Sequence, residues 1–182
     1  MAGKRPTGKL RGVAERTIWT VGHSTHELPG LLSVLRGQDV EVVADIRSQP
    51  FSRRNPQFNR ERLRSALLDA DLKYVFLGAE LGGRPPEAEF YGSDGHVLHD
   101  AVAQTERFKS GVQRLLDGSE EYRVVMLCSE ENPARCHRRL LVSRALVSRG
   151  INLVHIRGDG SVIHEKDLGP LPGDISQGAL FG

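Results

Sequence analysis

Five short β-branched runs, each separated from the next by a turn and a segment of helical period, constrain this chain more than any other feature. They lie at 17–21 (TIWTV), 41–44 (EVVA), 74–77 (YVFL), 122–127 (YRVVML) and 152–156 (NLVHI). Between the first two, Leu28, Leu31, Leu32 and Leu35 share one helical face. Between the second and third, Asn59 stands as an N-cap before Leu63, Leu67 and Leu68. A helix is expected over 105–116, and another over 134–148, opened by Asn132-Pro133 and closed by Gly150. Strands alternating with helices give right-handed βαβ units. The expected fold is therefore α/β: a Rossmann-like three-layer sandwich around a mainly parallel sheet of roughly five strands.

The flanks differ in character. Residues 1–16 carry Lys4, Arg5, Lys9, Arg11 and Arg16 against only Glu15, with Gly and Pro and no apolar period, and read as a flexible basic leader. Residues 169–182, with Pro170, Pro172, Gly173 and Gly178, read as a flexible tail. Residues 17–168 are expected to form one α/β domain, an ordinary size for a chain of 182 residues. A long loop is expected from 78 to about 102, of the kind that serves as a lid or binding segment.

Composition excludes some classes. No apolar run approaches the ~20 residues that span a bilayer, and no signal-peptide apolar stretch follows the basic start. Two cysteines, Cys128 and Cys136, are too few for a secreted disulfide framework. A cytoplasmic protein without membrane association is expected. A net charge of +2 does not by itself call for nucleic acid. Neither GxGxxG nor GxxxxGK[ST] occurs, which disfavours Rossmann dinucleotide and P-loop chemistry and leaves any cofactor unknown.

Ligands of open α/β sheets bind outside the carboxyl ends of the strands, and the residues there are chemically rich. Gly22-His23-Ser24 follows the first run, and Asp45-Ile46-Arg47-Ser48 with Arg53 follows the second. Gly82-Gly83-Arg84 comes after the third, and Cys128-Ser129-Glu130-Glu131 leads from the fourth into Cys136-His137-Arg138. In a parallel sheet these sets share one edge and form a polar pocket.

Within that pocket Arg47, Arg53, Arg84 and Arg138 are the anion candidates, since a planar guanidinium suits phosphate or carboxylate. Ser24 and Ser48 are further binding candidates, and Gly82 and Gly83 allow a tight turn or close backbone approach to a ligand. Glu130, with Asp45 near it, is the candidate general acid/base or nucleophile, assisted by His23 or His137. The alternative is that Asp45 and Glu130 pair with Arg47 and Arg138 and only hold loops in place. Cys136 in a first helical turn is open to two readings, a nucleophile of lowered thiol pKa or a buried packing residue. Ser24 or Thr25 also reads as a cap for the first helix, and Cys128 as structural. A zinc set of Cys128, Cys136 and His137 with His23 or His155 is disfavoured. C-x7-C-H is not a standard ligand spacing, and adjacent residues on a helix point about 100° apart. No metal is expected.

The strings TVGHSTHE, VVADIRSQPFSRRNPQFN, LGAELGGRP, VVMLCSEENPARCHRR and LVHI, together with Tyr74, resemble the domain of unknown function 488 family from about Ile18 to Ile156. Its hallmarks are a GHS, a DVRS-P-SR stretch ending in Phe-Asn, an LGG and a C-x-E…CHR segment; here Ile46 replaces the usual Val. The resemblance implies an α/β fold and names no activity. The strand–Cys–loop–helix shape after 127 is also similar to the anion loops of rhodaneses and cysteine phosphatases, but Glu130 and Glu131 would repel a phosphate there.

The residues favour an enzyme, a hydrolase or transferase acting on a nucleotide, nucleoside or nucleic-acid group. Alternatives are a non-catalytic binder of nucleic acid or an anionic small molecule, and a thiol-based sensor using Cys128 and Cys136.

Overall fold

The structure, a computed structural model, describes residues 16–170. Apart from Arg16, Gly169 and Pro170, the expected leader and tail lie outside the described residues.

Six strands form one mixed sheet: β1 (Thr17–Gly22), β2 (Val42–Asp45), β3 (Lys73–Phe76), β4 (Val124–Cys128), β5 (Asn152–Ile156) and β6 (Val162–His164). Their spatial order is β3-β2-β4-β1-β5-β6. The first five run parallel, and β6 pairs antiparallel with β5 at the edge. The sixth strand goes beyond the sequence expectation of roughly five. Its three residues, Val162-Ile163-His164, are too short for an apolar alternation to register.

Both faces of the sheet are covered. Along β4, Val124 and Met126 pack to one side and Val125 and Leu127 to the other. The second side is closed by α1 (Leu28–Arg36) through Leu31 and Leu35, and by α2 (Arg60–Asp69) through Leu63 and Leu67. The first side is closed by α3 (Gly78–Leu81), α4 (His99–Gln104), α5 (Glu106–Glu121) and α6 (Arg144–Val147), which contribute Leu81, Val102, Phe108, Val112, Leu115 and Leu146. This is an α/β architecture consistent with a three-layer sandwich. The chain winds outward through β1, β2 and β3 with helices on one face. It then returns through β4 to β5 with helices on the other, as right-handed crossovers require. Strand β4 thus lies between β1 and β2, so the ends of the three central strands, Gly22, Asp45 and Cys128, stand side by side.

Local chemistry sets the boundaries. The Thr105 hydroxyl caps α5 by accepting the Phe108 N–H at 3.2 Å. Asn59 precedes α2 as expected, but its Oδ1 accepts from Ser52 N at 2.6 Å instead of capping, tying the turn 52–59 shut. Ser24 and Thr25 are not caps either. Helix α1 begins after Glu27 without a side-chain cap, and Ser24 sits at φ 45° with its N–H bonded to the Ser129 carbonyl. The segment 78–104 is not a featureless loop: it contains α3, a 3-10 turn at Ala88–Phe90, a Tyr91–Val97 bridge and α4.

The helix expected over 134–148 is broken. Asn132 does cap, accepting Ala134 N at 2.9 Å, but only a 3-10 turn follows, Pro133–Arg135. Cys136 is then extended, at φ −94° and ψ 142°. A π-helical turn, Arg138–Ser143, comes next and runs into α6. Among the described residues no helix is long and apolar enough to cross a membrane.

Candidate functional site

A polar cleft of about 690 Å³ opens over the carboxyl ends of β1, β2 and β4. Of the residues singled out in the sequence, His23, Ser24, Arg47 and Ser48 line it from the first two strands. Gly83 and Arg84 come from the turn after α3, and Glu130 and His137 from the segment after β4. Asp45, Gly82, Cys136 and Arg138 stand behind these, and Arg53 is exposed outside the cleft.

The deepest layer is an ion-pair network. Asp45 is fully buried and grips Arg47 with both oxygens, from Nε at 2.8 Å and Nη2 at 2.6 Å. Its Oδ1 also accepts the Arg47 N–H, and its Oδ2 accepts the Tyr74 hydroxyl at 2.8 Å. Arg47 Nη1 donates to His23 Nε2 at 3.1 Å, which fixes His23 as the Nδ1–H tautomer, whose proton goes to the Ser24 carbonyl at 2.9 Å. Burial, then the neighbouring Arg47 charge, lower the His23 pKa to about 4. The ring stacks on buried Phe58 at 4.3 Å. His23 and Asp45 are therefore committed to neutralising and orienting Arg47, with Tyr74 as a partner that its Asp45 contact alone reveals. Burial and the adjacent Asp45 carboxylate raise the Tyr74 hydroxyl pKa, so it stays a donor.

Arg138 is spent on backbone rather than on a carboxylate, with its buried Nε left without a hydrogen-bond partner among the described residues. Fully buried, it donates from Nη1 to the Glu130 carbonyl and from Nη2 to the Glu131 carbonyl at 2.5 Å, holding the loop after β4. The loop crosses directly over Gly22, where a Cβ would lie 1.8 Å from the Glu130 carbonyl oxygen. That contact is the physical reason for a glycine before His23. The Glu131 carboxylate is bound bidentately by Arg157 at 2.6 and 2.7 Å, which lowers its pKa. The Glu130 carboxylate has no hydrogen-bond or ion-pair partner among the described residues and faces the cleft.

A sulfur–imidazole cluster forms the floor. Cys128 Sγ lies 3.3 Å from Cys136 Sγ and 3.6 Å from His137 Nδ1, and Cys136 Sγ is 3.9 Å from the same nitrogen. His137 Nε2 donates to the Ile46 carbonyl at 3.1 Å, leaving Nδ1 turned to the sulfurs. The divergence expected of adjacent helical residues does not apply, because Cys136 is extended. The lowered thiol pKa falls on Cys128, which accepts from the Cys136 S–H and from His137. That of Cys136 is raised by the Cys128 sulfur and by burial. Burial opposes charging of His137, but the Cys128 contact outweighs it and raises its pKa. His155 is remote from this cluster: buried, it accepts from Thr20 Oγ1 at 2.7 Å and donates to Glu165 at 2.7 Å. Among the described residues, Cys128, Cys136 and His137 are a group able to hold a metal ion, with ligand atoms within 4.8 Å of one another.

The rim holds an aromatic and an arginine that the sequence offers for stacking and for phosphate, and two histidines, His96 and His99, that it does not single out. Phe51 is 69% exposed and lines the cleft, in contrast to buried Phe58. Arg135 joins Arg84 there, and neither guanidinium has a hydrogen-bond or ion-pair partner among the described residues. His96 and His99, from the segment expected to be a loop, form one wall.

A family model described as "Domain of unknown function DUF488" matches residues 28–145. Neither the curated proteins nor the solved structures give a match.

Proposed function

The chain belongs to the DUF488 family, and from that premise and the cleft we propose an enzyme, a hydrolase or transferase, acting on a nucleotide, nucleoside or nucleic-acid group. The observation that carries this reading is the composition of the rim. An exposed aromatic ring, Phe51, shares one cleft with two guanidiniums, Arg84 and Arg135, that have no partner among the described residues. A base stacks on the ring, a contact worth about 1–3 kcal/mol, while the guanidiniums take phosphate oxygens. Ser24, Ser48 and Asn55 supply neutral polar groups for a sugar.

Glu130 is the carboxylate placed to hold or move a proton, since it faces the cleft without a partner. Arg47 stays in the wall, its charge already matched by Asp45, and contributes a fixed dipole to the floor. Of the four anion candidates Arg84 therefore keeps that role and Arg135 joins it, while Arg47 and Arg138 are spent within the protein and Arg53 lies outside the cleft. A cytoplasmic setting, reducing toward Cys128 and Cys136, accords with this reading.

The test is a thermal-shift series with a nucleoside, its monophosphate, a short oligonucleotide and inorganic phosphate. The wild-type protein gains melting temperature saturably with the nucleoside monophosphate, because a ligand at a hundred times its Kd adds about 2.7 kcal/mol. Phe51→Ala and Arg84→Ala abolish the gain and leave the unliganded melting point unchanged, both side chains being exposed. Glu130→Gln keeps the gain and loses turnover of the bound compound. No shift with any of the four probes overturns the reading. A shift without turnover in the wild type leaves a binding protein in place of an enzyme.

A further inference from the structure

We propose that Cys128, Cys136 and His137 bind one zinc-class divalent ion through two thiolates and the imidazole Nδ1, with the fourth coordination position open to the cleft. The distances carry the inference. A tetrahedral ion with bonds of about 2.3 Å to sulfur and about 2.0 Å to nitrogen holds its ligand atoms roughly 3.5 to 3.8 Å apart. Here the two sulfurs are 3.3 Å apart, closer than the roughly 3.8 Å of a tetrahedral pair, and the nitrogen lies 3.6 and 3.9 Å from them against roughly 3.5 Å, so closing on an ion moves the sulfurs apart by about half an ångström. Ordinary packing of two thiols and an imidazole does not require all three to meet at one point.

The backbone is built to bring them there. Cys128 ends β4, and the 3-10 turn at Pro133–Arg135 folds the chain back. The extended conformation at Cys136 then turns its sulfur inward while His137 begins the next helical stretch. A regular helix through 134–148 would have separated the two side chains.

The surroundings match a ligand set. A metal-bound histidine usually donates its other ring N–H to a carbonyl or carboxylate, which fixes the tautomer and the ring plane. His137 does so to the Ile46 carbonyl. The ring cannot swing away, because Gly83 packs against it so closely that a Cβ there would lie 2.4 Å from Cγ. Two thiolates and one imidazole, with no carboxylate, select zinc over magnesium, calcium or manganese. Three protein ligands and an open face are the pattern of a catalytic site, whereas structural sites close with four. Cys128 and His137 line the cleft, so the open face is turned to solvent and substrate.

Binding is balanced in charge and protons. Cys136 gives up its thiol proton and His137 the Nδ1 proton it shares with Cys128, so two protons leave for one dication, and His137 keeps its Nε2 proton on Ile46. The loaded site has no net charge, which suits a buried position. Only the use of the open position by a substrate rests on the function proposed above; metal binding does not.

The test is metal content of the full-length protein grown with zinc, followed by replacement with Co²⁺. One zinc per chain is expected, with a sulfur-to-cobalt charge-transfer band after replacement and neither thiol alkylated until a chelator is added. Cys136→Ser and His137→Ala lose stoichiometric metal, Gly83→Ala weakens it about tenfold by displacing the ring, and Arg84→Ala retains it. If a ligand variant does not fold, the cobalt spectrum of the wild type decides. A folded wild-type chain without metal after zinc loading overturns the site, whatever the state of its buried thiols. Nucleotide shifts are recorded on the same samples: metal without nucleotide binding defeats the functional reading alone, and nucleotide binding without metal defeats the zinc site alone.

Discussion

Asp45 and Arg47 stand two residues apart at the end of an extended strand, the spacing that puts side chains on one side of the chain. Their pairing buries a full charge on each partner, with Asp45 fully inaccessible and Arg47 5% exposed. Such a pair contributes little net stability when intact, but removing one partner strands the other. Asp45→Asn is therefore expected to destabilise the protein by about 3–5 kcal/mol in urea unfolding, without direct loss of a cleft-rim contact. A change below about 1 kcal/mol would mean that water reaches Arg47. This pairing was legible in the sequence as an Asp-x-Arg after an apolar run, and was kept there only as an alternative to catalysis. What the sequence does not carry is which arginine is spent. Arg47, Arg84, Arg135 and Arg138 look alike in the chain and differ only in whether an acceptor meets them: a carboxylate for Arg47, two carbonyls for Arg138, and none among the described residues for the other two.

The five parallel strands and the helices α1, α2 and α5 follow from apolar period, a local signal, whereas the caps expected at Asn59 and at Ser24 or Thr25 do not form. The segment after β4 was not readable in the same way. Its Asn-Pro start and its apolar positions are helical, yet the chain is extended at Cys136, and beyond it the buried Arg138 meets the loop carbonyls. That contact is tertiary and leaves no mark in periodicity. The loop it secures rests on Gly22, so Gly22→Ala is expected to displace residues 129–131. A Cβ there meets backbone that cannot rotate aside, 1.8 Å from a carbonyl oxygen. The measurable result is a melting temperature lowered by several degrees, corresponding to roughly 1–3 kcal/mol of strain, together with loss of metal. A variant with unchanged melting point and metal content would contradict the packing described. The segment 78–104 shows the same limit: its helices are too short for periodicity, although one of them brings His99 to the cleft wall.

Across the whole molecule, the edge of the sheet is tied down by Glu165, which links His155 of β5 and Arg139 of the π-helical turn at 2.7 Å each. The groups facing His155 are Thr20, Glu165, Arg138 and Arg139. Burial, with the two arginines, holds the His155 pKa below its ordinary 6.5 despite Glu165. Burial resists ionisation of Glu165, but bonds from His155 and Arg139 overcome it and hold its pKa below 4.5. Both folded-state values lie below the unfolded ones, so in each case the unfolded chain takes up the proton first as pH falls. Stability is accordingly expected to decline from about pH 6.5 downward, first through His155 and then, below about 4.5, through Glu165. Glu165→Gln should melt well below the wild type near pH 7, with the gap narrowing in acid. A gap independent of pH would mean that Glu165 is not ionised in the folded protein.

Hydrogen exchange followed by mass spectrometry, with and without a saturating nucleoside monophosphate, reads out whether the cleft over β1, β2 and β4 receives the substrate. Slower exchange is expected at 22–26, 47–55, 82–84 and 129–137, with β6 and the outer faces of α2 and α5 unchanged. Protection confined to other surfaces, with those four segments unaffected, would contradict binding there.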